Sequence, residues 1–385
     1  MGCYTNNVMG ATSMLITARW MRGGTSKCWV FEKADLEESG MSVDAALSRL
    51  FGSPDPRQLD GVGGGTSTTS KAVLVERGST PEIDASFNFA QVGIETNRVD
   101  WGSNCGNCSA AVGLYAVEQG WVPLGADTTE VRTYNVNTGQ TIIQTIPTPG
   151  GKLPVSPEAR IPGVVFPGHS VGLGFLSPEG RTTGSLLPTG SASSTLTTSR
   201  GTAVTVSMVD AGAPVVLVDA ASFGLGAADY DTWKDLVDER LAELDEIRRA
   251  ASVAMGLSAS PEQAEGAIPK IGIASESPDD EADLQVLMMS MGKRHPAMPI
   301  TGSIGVTIAA RTEGTVVAGC IRKPLGPKLR IRIPVGVLTT LTEQSSLGRT
   351  VGTIRTARTL AEAKLPLPSG PLNEDSPQQF QGVTR

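Results

Sequence analysis

Apolar and polar positions alternate over several short runs of the chain and recur at helical spacing over fewer, longer ones. The run "LITARWMRGGTSKCWVFE" (15–32) reads as two strands hinged at Gly23–Gly24. "DLEESGMSVDAALSRLFG" (35–52) spaces its apolar residues as a helix does, with Gly52 as its stop. A Gly/Ser/Thr loop, "GVGGGTSTTS" (61–70), then leads into a predicted strand, "KAVLVE" (71–76), and "FNFAQVGIE" (87–95) alternates like another strand. "WGSNCGNCSAAVG" (101–113) opens a helix expected over Ser109 to Glu118. "EVRTYNVNTGQTIIQTI" (130–146) predicts a hairpin turning at Asn137–Thr138–Gly139.

The second half reads in the same order. "AVTVSMVDAGAPVVLVDA" (203–220) is again two strands around a glycine, and "YDTWKDLVDERLAELDEIRRAAS" (230–252) predicts one long amphipathic helix. "PKIGIAS" (269–275) is a strand opening on lysine, and "LQVLMMSMG" (284–292) is another strand. "PITGSIGVTIAARTEGTV" (299–316) is a small-residue loop entering a helix. Lys71 and Cys105 are 34 residues apart, Lys270 and Thr301 31 apart. The match implies a duplicated unit of about half the chain. Two such units face each other across a cleft, each aiming one helix N-terminus at it. The expected division is 1–195 and 196–385, with a polar tail from about residue 369 that reads as loose.

Composition narrows the function classes. The 385 residues carry a net charge of −7 with no concentrated basic run, which argues against a nucleic-acid surface. No run is long and apolar enough to span a bilayer, and the start has no apolar leader core. Position 6 is Asn, which does not fit N-myristoylation at Gly2. The five cysteines are an odd and sparse set, so the expectation is a reducing, cytoplasmic setting.

Cys105 and Cys108 pose the chemical question. A C-x-x-C at a helix start fits a redox pair, but Trp101 lies four residues before Cys105 and the chain is not a small βαβ domain. Zinc needs three or four ligands, and the two histidines, His169 and His295, have no ligand-like spacing. The remaining reading is one working thiol. Cys105 falls near the helix N-cap, where the helix dipole lowers a thiol pKa and fits it for proton transfer. Cys108 lies in the first turn and is expected to pack.

Helix N-termini present free N–H groups and a partial positive charge, so two mouths facing one cleft suit a substrate with several carboxylates. Gly106 and Gly302 remove bulk there, and Asn104, Asn107, Thr301 and Ser303 add polar contacts. The loop before Lys71 lacks the spacing of a phosphate-binding loop, but it offers donors to carboxylates, and Lys71 can serve as a base when desolvated.

Several stretches together resemble the PrpF family of cofactor-free isomerases: "MRGGTSK" (21–27), "GGGTSTTSKAVLV" (63–75), "FAQVGIETNRVDWGSNCGNCSAAVG" (89–113), "GSLLPTG" (184–190), "PKIGIAS" (269–275), "HPAMPITGSIGVTIAA" (295–310) and "RTAR" (355–358). The resemblance covers nearly the whole chain. It implies an α/β (α+β) fold of two pseudo-symmetric, diaminopimelate epimerase-like halves, each a curled mixed sheet around a central helix. It implies Lys71 and Cys105 as the acid/base pair, with Thr301 where the epimerase has a second cysteine. Which of the pair takes the proton stays open. Arg22, Thr25, Ser26, Ser67, Ser70, Asn104, Gly106, Asn107, Lys270, His295, Thr301, Gly302 and Ser303 are the candidate substrate-binding residues.

The family's activity is double-bond migration in small unsaturated di- or tricarboxylates. Interconversion of cis- and trans-aconitate leads, ahead of methylitaconate isomerisation and oxalomesaconate tautomerisation; a non-catalytic binding protein is the alternative of another class. No metal or other cofactor is expected, the partner is the acid itself, and a homodimer is allowed. Cys28, "PGHS" (167–170) and "IPVG" (333–336) depart from the family pattern and bear on the substrate more than on the chemistry.

Overall fold

The structure is a computed structural model that describes residues 14–102, 104–226, 230–266, 268–290, 292–345 and 347–370. The tail expected to be loose lies, from 371 on, outside the described residues, as does the N-terminal segment before residue 14.

Among the described residues, seventeen strands join into one hydrogen-bonded sheet, mixed in direction. The hairpin Leu15–Gly23/Ser26–Glu32 is followed by Lys71–Thr80, parallel to its second arm, and by antiparallel Ile83–Val92. Thr128–Asn135 runs parallel to Ile83–Val92, and Gln140–Pro147 and His169–Leu176 complete the series antiparallel. The same directions recur in order from Ala203–Ala211 and Ala213–Asp219 through Lys270–Glu276, Leu284–Ser290, Lys328–Ile333 and Gly336–Ser345 to Gly348–Pro366. That last strand, nineteen residues long, pairs with three others. Its first part lies beside Gly336–Ser345 and His169–Leu176, and its end lies beside Leu15–Gly23. The first eight-strand circuit therefore closes with a strand from the far end of the chain.

Inside that circuit runs the first central helix, Gly106–Glu118, against all eight strands. The second, Ile300–Ala309, packs in the other half. Both are built mostly from small and aliphatic residues, and both are buried on every side up to the Glu118 end of the first, as helices without a polar face must be. Some of their hydroxyls are satisfied within the helix, Ser303 donating to the Ile300 carbonyl at 2.7 Å and Thr307 to that of Ser303 at 2.6 Å, while Tyr115 reaches Glu32 at 3.1 Å. The two helices meet where Gly106 approaches Ile300. The Gly23–Gly24 hinge is fixed to the same place, because a side chain at either glycine would strike Asn107 in the first turn of the helix.

The helix starts three residues earlier than expected, at Gly106, which makes Cys105 its N-cap. Two other expected helices are broken. The first splits into Lys33–Glu37 and Val43–Phe51, the latter capped by Ser42 and ended by left-handed Gly52. The single helix expected over 230–252 is Tyr230–Asp238 and Leu241–Ala254. Arg240 breaks it: its backbone leaves helical geometry while its guanidinium stacks 3.5 Å over the Phe223 ring and bonds the Phe223 carbonyl and Glu243.

A β-carbon at Gly106 would sit 2.7 Å from the Ile300 β-carbon, whereas one at Gly302 would meet the flexible end of Met288 at 3.0 Å. Gly106→Ala is expected to lower unfolding free energy by about 1–3 kcal/mol, and Gly302→Ala by clearly less. Urea denaturation of both variants measures this, and equal costs would contradict the helix contact.

Candidate active site

Both central helices point their N-termini into one cleft of about 800 Å³ between the halves. The first half lines it with Ser26, Ser67, Lys71, Asn104, Cys105, Gly106 and Asn107, the second with Lys270, His295 and Thr301. The other candidates lie outside this lining. Arg22 donates through Nη1 to Gly24 and Thr356, reaching the Thr356 hydroxyl at 2.8 Å, and so ties the hinge to the last strand, while its buried Nη2 has no partner among the described residues. Ser70 is sealed between the Val92 carbonyl and the Gln58 amide. Thr25 pairs with the Asn107 side chain, Gly302 faces Met288, and Ser303 bonds within its helix.

Lys71 opens its strand with the amine over the Phe89 ring, 4.9 Å from its centroid, and donates to Gln91 Oε1 at 2.6 Å. Phe87, Phe89 and Gln91 share one face of their strand, the first two inside the core. A polar residue ending an inward apolar face was the available signal for Gln91, which the sequence reading passed over along with Phe89 and Asp100.

Cys105 is partly exposed to the cleft and has extended backbone geometry, φ −113° and ψ 96°. Its thiol departs from expectation. A hydrogen bond to the Cys108 thiol and burial hold it well above its ordinary range, against which the Lys71 charge is a smaller, opposing influence. The free N–H groups of the helix mouth do not reverse this, because the contact one helical turn on favours the protonated form. Cys108 is fully buried, as expected of a packing residue, but it also holds its neighbour's proton in place. Beside them Asn104 accepts from Ser109 through Oδ1, while its buried Nδ2 has no partner among the described residues. That is an orphaned donor at a helix mouth, poised for a carboxylate.

Across the cleft, burial lowers the pKa of Lys270 and the charge of Lys71 adds to this, while Cys105 and the Asp100 carboxylate oppose it without reversing it. Among the described residues Lys270 makes no ion pair. His295 accepts the Ala297 N–H through Nδ1 at 3.0 Å, which leaves Nε2 as a donor in the neutral ring. Burial, then the charges of Lys270 and Lys71, lower its pKa from 6.5 to about 4. Two lysine side chains, a neutral imidazole, an orphaned amide and two helix mouths therefore converge on a single space with a protonated thiol. Such a site can hold a polyanion and move a proton on it.

The model of the PrpF protein family matches residues 13–368. The (4E)-oxalomesaconate Delta-isomerase of Novosphingobium sp. (strain KA1) is 34% identical over 348 residues, spanning 89% of this chain and 95% of that protein. The 2-methyl-aconitate isomerase of Cupriavidus necator is 33% identical over 328 residues, 78% of this chain and 83% of that one. The crystal structure of methylitaconate-delta-isomerase superimposes with a TM-score of 0.77 at 31% identity, covering 92% of this chain and 96% of that one. The chain belongs to the PrpF family and is an isomerase.

Proposed function

We propose that this isomerase shifts the carbon–carbon double bond of a small unsaturated tricarboxylate by proton transfer, with aconitate, exchanged between its cis and trans forms, as the leading substrate. The observation that carries the reading is the meeting of Lys71 and Cys105 at one helix mouth with Lys270 and Thr301 facing them in the same cleft. The relatives are named for oxalomesaconate, methylaconitate and methylitaconate, alkenes that bear more than one carboxylate. What these acids share, an alkene carbon bearing a carboxylate next to a carbon with a movable proton, aconitate has too.

The division of labour follows from the thiol. Held protonated by Cys108 and burial, Cys105 is the acid and Lys71 the base. The amine of Lys71 takes a proton from the methylene carbon between the alkene and a carboxylate; the C–H bond breaks and an N–H bond forms. The electron pair spreads over the allyl system into the carboxylate oxygens. Cys105 then gives its proton to the far allylic carbon, and the ammonium of Lys71 returns a proton to the thiolate. No atom is gained or lost by the substrate. Because such a C–H bond is weakly acidic, most of the acceleration must come from groups that meet the growing oxyanion charge: Lys270, Asn104 Nδ2 and the N–H groups of the helix mouths.

In D₂O, cis-aconitate is expected to turn over faster than methylitaconate or oxalomesaconate and to gain deuterium at the new methylene carbon, read by proton NMR. Cys105→Ser and Lys71→Ala should each lower kcat by about 10²–10⁴-fold without loss of fold. Full activity in either variant would overturn the assignment of roles, and absence of exchange with any of the three acids would favour a binding protein.

His295 is expected to stay neutral from pH 5 to 8, with its imidazole NMR signals moving at a midpoint near 4. The unfolded chain binds that proton from about pH 6.5 downward. The folded state refuses it until about pH 4, so stability falls as the pH drops through this window. A folded-state midpoint at or above 6 would contradict this.

A further inference from the structure

Gln91 lies in register between Lys71 on one neighbouring strand and Asp100 on the other. Residues directly opposite one another in a sheet share a face, and all three line the cleft. The orientation of the Gln91 amide is fixed by its surroundings. Its Nε2 donates to the Ser70 carbonyl at 2.8 Å, and its Oε1 receives the Lys71 amine at 2.6 Å. The reversed amide would set two donors against each other at one end and two acceptors at the other. On its remaining side the amine rests on the Phe89 ring. Lys71 is thus placed by two neutral partners, although a carboxylate, Asp100, stands one strand further on.

We propose that Gln91 is a positioning residue that aims the Lys71 amine at the substrate and, by occupying the register position between them, keeps Asp100 from pairing with it. This rests on the isomerase reading with Lys71 as the base. A base must give its proton up again after each turnover, and a fixed anion at hydrogen-bond distance would hold the ammonium form. A neutral amide fixes the same geometry without that hold. The other titratable groups facing the amine are Cys105 and Cys108 at the helix mouth and Lys270 and His295 from the second half. Glu95, Asp245, Arg248, Lys293 and Arg294 line the same cleft, with Asp245 held by Arg248 and Arg249 and Arg294 by Asp238; among the described residues no carboxylate pairs with Lys71, and Asp100 is the one in register beside its amide partner.

The test compares wild type, Gln91→Glu and Gln91→Met with cis-aconitate over pH 5–10. Gln91→Glu should move the acid limb of the kcat profile to higher pH by about 1–3 units, so that much of the neutral-pH loss is recovered at high pH. Gln91→Met, which keeps the bulk but loses the acceptor, should lower kcat about 10–100-fold with KM changed less than about threefold and no such shift of the limb. An unmoved limb in Gln91→Glu, or wild-type kcat in Gln91→Met, overturns the proposal. A second readout does not depend on turnover: the ¹³Cε NMR signal of Lys71, assigned with Lys71→Met, should titrate at higher pH in Gln91→Glu than in wild type. Should no acid of the panel react while this signal moves, the isomerase reading fails and the positioning contact stands. A signal that titrates alike in both chains sinks the contact itself. If Gln91→Glu does not fold, Asp100→Asn in the Gln91→Ala background supplies the comparison: restoring the wild-type limb there supports the spacer role, and leaving it unmoved opposes it.

Discussion

Gly106 and Ile300 touch, and the rest of the site depends on that contact. Two helices buried on all sides can bring their N-termini together only where one of them has no side chain to hold the other away. Gly106 was expected to admit an anion to the backbone; its tighter constraint is Ile300, 2.7 Å from where a β-carbon would stand. From this junction Cys105, Asn104 and Thr301 take their places in one cleft, and the Gly23–Gly24 hinge locks on from the side through Asn107. The last strand, which pairs with strands of both halves, ties the two circuits around these helices together.

Charge in the cleft follows one theme. Lys71 is held by the neutral Gln91 amide, and Lys270 makes no ion pair among the described residues, while the thiol and the imidazole are held uncharged by burial and by the contacts described above. A polyanionic substrate entering such a space supplies the missing counter-charge, and it satisfies the orphaned Asn104 donor at the same time. Binding and catalysis would then draw on the same groups, since those that meet the carboxylates also meet the charge that grows during proton removal.

Much of this was legible in the sequence, for physical reasons that can be named. Alternation located the strands, the turn at Asn137–Gly139 and the stop at Gly52 were written in residue type, and the repeated lysine strand and helix mouth pointed to two facing elements. Lys71, Cys105, Asn104, Lys270, His295 and Thr301 do share one cleft. What local pattern could not carry was tertiary. Arg240 looks helical in sequence, and only Phe223, brought beside it by the fold, pulls it out of the helix. The helix dipole suggested a lowered thiol, but the Cys108 contact and burial outweigh it. Ser70 sits in a polar motif, but its partners, Val92 and Gln58, are set by the fold, as is the Thr356 contact that holds Arg22. Gln91 looked like a strand end until its two neighbours in the sheet were known.

One small polycarboxylate should span both helix mouths. A crystal structure with the saturated analogue propane-1,2,3-tricarboxylate, which binds without reacting, tests it most directly. One carboxylate should lie within hydrogen-bond distance of Asn104 Nδ2 and the first helix mouth, and another on Lys270 Nζ and Thr301. The reacting chain carbons should lie between Lys71 Nζ and Cys105 Sγ. A ligand held by one half alone, or with its carbons out of reach of Lys71 and Cys105, would contradict it.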